Sequence, residues 1–253
     1  MTQYFLKSLA KNLLIRQNYS MTHIHGDGFR VAIIRSKRRK TLALAVANGE
    51  VSVRMPAKMA VHHAERFIQQ KTAWIQQKLA AHPATKKRLF TEGEPLLLMG
   101  QQVYLSIIPD STANQVKLTK QSLLVDLKNK APSQAVILKH ITDWYQQQAT
   151  QHLMARCRAL SEVTGLLPRS IIVKTYKARW GSCTRVGDIQ FNWKLIMAPK
   201  AVIDYVIIHE LCHIKQHNHS AAFWQLVENF CPHYKVHRAW LKNNGHQLSL
   251  SMH

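Results

Sequence analysis

The chain has 253 residues, 46% of them hydrophobic, and carries 35 Lys and Arg against 13 Asp and Glu, a formal net charge of +22. That length and composition suit a soluble globular protein with one large domain or two small ones, and apolar runs such as PLLLM and YVII fall far short of the roughly 20 residues that span a bilayer. The charge allows polyanions as partners, among them nucleic acid, nucleotides and anionic surfaces, although the dense basic run RSKRRK at 35–40 stands alone and the other cations are scattered.

Residues 1–20 mix Lys7, Lys11 and Arg16 with apolar positions and contain no acidic residue. They lack a continuous apolar stretch followed by a small-residue cleavage site, so they read as an extension or docking helix rather than a secretory signal. From Phe29 the pattern alternates through FRVAIIR and TLALAVANGEVSVRMP, with Asn48-Gly49 placed to form a tight hairpin turn. Val61, Ala64, Phe67, Ile68, Trp74, Ile75 and Leu79 then recur at helical spacing, which predicts one amphipathic helix ending near His82-Pro83. LLLMGQQVYLSII, QVKLT and SLLVDL read as further strands.

The polar, proline-containing NKAPS at 129–133 is the expected domain boundary. A long helical pattern follows through Ile137, Ile141, Trp144, Tyr145, Ala149, Leu153 and Leu160, and Gly165 and Pro168 stop it. Strand-like IIVKTY, the stretch ARWGSCTRVGDIQFNWKLIMAP and helices over 200–217, 220–230 and 233–244 complete the chain. Strands and helices are largely segregated and no internal repeat is apparent, so the fold class is α+β. The expected organisation is an extension (1–20), a β-rich region with an amphipathic helix (21–132) and a C-terminal domain (133–253). Cys157, Cys183, Cys212 and Cys231 lack CxxC spacing, a pattern of reduced thiols that points to the cytoplasm.

The chemistry concentrates in HELCHIKQHNH at 209–219. On a helix, His209 and His213 project from one side a turn apart, close enough to ligate one ion through neutral imidazole nitrogens. Glu210, directly after the first histidine, is placed to accept a proton from the attacking water rather than to bind the ion. A third ligand makes the pattern specific. His219, ten residues beyond His209, has the spacing of an extended HExxH signature, with Gln216 where that signature has glycine. Asn218 offers a left-handed turn to bring it round, and Ser220 would cap the next helix. Glu228 on that helix and His217 are the competing third ligands.

RWGSC at 179–183, followed by GDIQFNWKLIMAP, IDYVIIHELCH, NHSAAFW and YKVHRAWLKNNG, resembles the YgjP-like metallopeptidase family, with a more distant similarity to SprT-like zincins. The resemblance runs over roughly 25–250. It implies a zincin-like C-terminal domain in which His209, His213 and His219 bind zinc and Glu210 is the catalytic base. The activity implied is that of a zinc hydrolase acting on peptides or unfolded protein. A nucleoside triphosphate pyrophosphatase using the same site is the enzymatic alternative, and a basic nucleic-acid-binding protein with a structural metal is the alternative outside catalysis. Trp180, Gly181 and Cys183 read as packing residues beside the active-site helix, and Cys212 as core. Arg179 is the candidate for holding an anionic group of the substrate, and Asn192 either pins the neighbouring loop or meets substrate backbone.

Overall fold

The structure, a computed structural model, describes residues 23–47, 49–81 and 88–250. The extension expected at residues 1–20 lies outside this range. Two compact units divide between residues 86 and 87.

The first unit contains β1 (His23–His25), β2 (Arg30–Ser36), β3 (Ala43–Ala47) and β4 (Glu50–Pro56). They form one sheet in the order β1-β2-β4-β3, with β2 and β4 parallel and the other neighbours antiparallel. Ala47 pairs with Glu50, and Gly49 takes the positive φ of 73° that the expected tight turn needs; Asn48 lies outside the described residues. Val51, Val53 and Met55 alternate into the core, which α1 (Val61–Gln70) closes with Val61, Ala64 and Ile68.

The single helix expected to end near His82-Pro83 is two helices, with α2 (Thr72–Ala81) starting after a break at Lys71; the expected end lies outside the described residues. The break has a local cause. The Lys71 amide and the Thr72 hydroxyl both donate to the Ile68 carbonyl, at 3.0 and 3.1 Å, which tightens the last turn of α1 and diverts a helical acceptor. Ile75 is still buried, whereas Trp74, expected on the buried face, is 40% exposed.

The second unit opens with β5 (Pro95–Leu98), β6 (Gln101–Ile108), β7 (Gln115–Thr119) and β8 (Ser122–Asp126), in the order β5-β6-β8-β7. Its pairings are antiparallel, parallel and antiparallel, the same as in the first sheet, and here too a helix follows. The repetition is one of topology; only the alternation of apolar and polar positions has to be kept for it, so no repeat is visible in the residues themselves. Residues 129–133, where a boundary was expected, lie inside this unit between β8 and α3 (Gln134–Thr164). The Ser133 hydroxyl accepts from the Val136 amide to start α3, and Gly165 at φ 69° ends it.

Beyond α3 come β9 (Ser170–Lys174), β10 (Gly181–Cys183) and β11 (Asp188–Asn192), ordered β10-β11-β9, then a 3-10 turn (Trp193–Met197) and α4 (Lys200–Cys212). α5 (Ala221–Phe230) and α6 (Tyr234–Asn244) follow. α4 is buried along most of its length through Val202, Ile203, Val206, Ile207, Ile208 and Leu211. Two contacts fix where it starts and how it lies. The β5–β6 turn donates from Met99 and Gly100 to the Ile196 and Met197 carbonyls at 2.7 and 3.1 Å, and a Cβ on Gly100 would meet Pro199 Cα at 2.8 Å. Arg156 of α3 grips Asp204 of α4 with two hydrogen bonds of 2.7 and 2.9 Å. The fold is α+β as expected, and no helix among the described residues is long and apolar enough to cross a membrane.

Candidate metal centre

α4 was expected to run to residue 217 but its α-helical part ends at Cys212, with His213 as its C-cap. The amides of His213, Ile214 and Lys215 each bond three residues back, to Glu210, Leu211 and Cys212, so the last turn tightens and the chain peels away. Asn218 turns it further, not with left-handed backbone as expected but with a side-chain bond: its Oδ1 accepts from the Ser220 amide at 3.3 Å. The Ser220 hydroxyl then accepts from Phe223 N to start α5, as its position predicts.

This path brings His219 back over α4. One ring nitrogen from each of His209, His213 and His219 lies within 4.8 Å of the others, a group that could hold a metal ion. His209 Nε2 and His219 Nε2 are 3.1 Å apart, near the roughly 3.3 Å expected of two nitrogens about 2.05 Å from one tetrahedral ion. His213 Nδ1 donates to the Gln216 carbonyl at 2.9 Å, which orients the ring and leaves Nε2 as the acceptor for a cation. Burial, with the charges of His213, His219 and Arg238, pushes His209 down to about 3 and so keeps it neutral. Its Nδ1 is buried without a hydrogen-bond partner. Three imidazoles gathered on one point are donors of the kind zinc takes.

Aromatic rings hold the histidines in place. Phe223 stacks on His213 at 4.4 Å and meets His219 edge-on at 4.8 Å, while Trp224 stacks on His219 at 5.6 Å. The Arg238 guanidinium lies 4.7 Å from the Trp224 ring centre. Sequence reading placed these residues in helices without linking them to the site; the aromatic pair three and four residues after the capping serine was the available signal.

Glu210 is buried, and burial pushes its carboxyl up to about 8 against the pull of Arg179. A cation beside it would bring it down again. It shares a cleft of about 490 Å³ with the three histidines, with Gly181, Ser182 and Cys183 of β10, and with Arg185, His217 and Asn218. β10 is an edge of its sheet. Gly181 packs directly on the Glu210 side chain, and the Tyr176 hydroxyl ties Ser182, at 3.1 Å, and Gln190 into one network. Cys183 is half-buried in the cleft wall, and burial followed by the Glu210 charge raises its thiol to about 11; Cys212 is core, as expected.

The other candidates fall in different places. Glu228 is half-exposed and pairs with Lys235 at 3.5 Å, outside the three-histidine group, and His217 lines the cleft but is also outside that group. Arg179 is exposed, with its guanidinium 5.5 Å from the Tyr176 ring centre. Asn192 is buried and pins the loop: it donates to the Tyr176 and Arg179 carbonyls at 3.2 and 3.1 Å and accepts from Lys194 N at 3.2 Å.

An α+β fold that gathers imidazoles from a buried helix and its following loop beside a sheet edge has the features of a metallopeptidase, and comparison with known families supports that class. The model of the YgjP-like metallopeptidase domain matches residues 40–244, and the chain belongs to this family. No curated protein matches it. Among solved structures it is similar to the metallopeptidase zymogen abylysin of Pyrococcus abyssi, at 21% identity over 36% of this chain and 93% of that one, with a TM-score of 0.32.

Proposed function

We propose that the chain is a zinc peptidase in which His209, His213 and His219 hold the metal and Glu210 is the general base. The observation that carries this reading is the meeting of three imidazole nitrogens within 4.8 Å in one cleft with a buried carboxyl. Zinc supplies a Lewis acid that polarises a carbonyl and acidifies water. Glu210 accepts the proton of the attacking water and returns it to the leaving amine; its low-dielectric setting keeps its proton affinity high enough for both steps. β10 offers its unpaired edge to an extended peptide, so that the scissile bond is aligned by main-chain hydrogen bonds. Arg179 holds an anionic group of the substrate, and its charge keeps Glu210 from becoming still less acidic.

The test pairs zinc-loaded wild type with Glu210→Gln, assayed on unfolded protein, short peptides and nucleoside triphosphates. The expected result is peptide hydrolysis by wild type and a loss of about 10²-fold or more in the variant, with zinc content equal in both. Turnover of nucleoside triphosphates alone would make the chain a nucleotide hydrolase, and a fourth protein ligand revealed by metal spectroscopy would make the metal structural.

A further inference from the structure

The basic surplus is unevenly distributed. Between residues 23 and 81 there are eleven Lys and Arg against three Asp and Glu, whereas residues 88–250 hold nineteen against ten. The first unit, which carries none of the candidate metal-site residues, therefore has more than twice the net charge per residue of the second.

Part of that charge surrounds a groove of about 890 Å³ with no acidic residue in its lining. Lys40 comes from the segment before β3, Lys58 from the loop after β4, and His63 and Arg66 from α1; all four are exposed. Between them lie Leu42, Met59 and Phe67, half-buried and packed on the core of the unit. The wall is built rather than incidental: Arg35 donates from Nη1 to the Ala57 and Met59 carbonyls at 2.8 and 2.9 Å, which fixes the loop around Lys58.

We infer that this groove binds single-stranded nucleic acid. Half of its ten lining side chains are apolar; of the other five, Lys40, Lys58 and Arg66 only donate, and His63 and Gln70 are the only nitrogen or oxygen acceptors. A phosphodiester backbone presents acceptors and negative charge, which match such a lining, whereas an acidic peptide also brings amide donors that would find few partners. The apolar floor favours a single strand over a duplex, because an unpaired base can lay its face on Phe67 while a duplex keeps its bases stacked inside. The inference is independent of the hydrolytic reading and places a second recognition surface on the same chain.

The test uses full-length protein and a fluorescein-labelled 20-nucleotide oligo(dT), followed by anisotropy at several salt concentrations. The combined substitution Lys40→Ala, Lys58→Ala and Arg66→Ala should weaken binding at low salt about tenfold or more and reduce the log–log salt slope by about 2. Phe67→Leu should weaken it about threefold or more while leaving the slope unchanged. The matched control of Lys117→Ala, Lys120→Ala and Lys128→Ala in the second unit should bind as wild type, and thermal unfolding checks that every variant is folded. Should the combined variant unfold, the three single substitutions are expected to be weakened and the three single controls not. Equal losses in groove and control variants, or tighter binding of a labelled poly-glutamate peptide than of oligo(dT), would overturn the inference.

Discussion

Gly181 lies so close to Glu210 that a Cβ on it would sit 2.7 Å from both Cγ and Oε1 of the glutamate. The obstructing atoms belong to a side chain rather than to backbone, so Glu210 can yield by rotating. Gly181→Ala is therefore expected to spare stability and zinc content but to misplace the base, lowering peptide hydrolysis about tenfold or more. Metal analysis, thermal unfolding and turnover of one preparation check this; unchanged turnover would show that Glu210 tolerates displacement.

The three histidines and their competitors give a ranking by zinc retained after dialysis. His209→Ala, His213→Ala and His219→Ala should each lose most of the metal. His217→Ala should stay near wild type because it lines the cleft outside the group, and Glu228→Ala should do so because its carboxylate is engaged by Lys235. A folded, zinc-free Glu228→Ala would count against His219 as the third ligand.

Asp188 organises the small sheet that carries β10. Its carboxylate accepts from Arg169 Nε at 2.7 Å, Arg169 Nη2 at 2.5 Å and Ser170 Oγ at 2.7 Å, and these bonds, Arg169's first, hold it down at about 2. A folded-state value below the unfolded one means that the charged form stabilises the fold. That contribution is complete above about pH 4 and disappears as pH falls through about 2. Asp188→Asn should accordingly be less stable than wild type at neutral pH and show a smaller fall in melting temperature between those limits, read by acid titration of thermal unfolding.

The Arg156–Asp204 pair joins α3 to the helix of the metal site with both carboxylate oxygens engaged, although its side chains remain 42% and 28% exposed. Screening by solvent limits its worth to about 1 kcal/mol. Asp204→Ala should lower the melting temperature by about 2–4 °C and leave the zinc content intact, as differential scanning calorimetry and metal analysis would show.

Much of the local structure was legible in the residues, because it depends on hydrogen bonds closed within a few positions. The positive φ at Gly49, the caps at Ser133 and Ser220 and the stop at Gly165 are of this kind. So is the four-residue spacing that sets His209 and His213 on one side of the chain. The same locality explains two misreadings. Apolar spacing ran on past Lys71 and on to Ile214, but one Thr hydroxyl at 72 and a run of three-residue bonds after Glu210 redirected the backbone there, and neither changes the apolar pattern.

Tertiary structure alone decided which distant groups meet. Spacing left His219, Glu228 and His217 in competition; the packing of α5 against α4 brought the His219 ring beside His209 and turned Glu228 toward Lys235. Nothing in RWGSC announced that its glycine would bear on a carboxyl 29 positions away, nor did NKAPS reveal that β5–β8 share a core with α3. Local patterns record which backbone conformation a segment prefers, whereas a contact between segments far apart depends on the summed packing of every element between them.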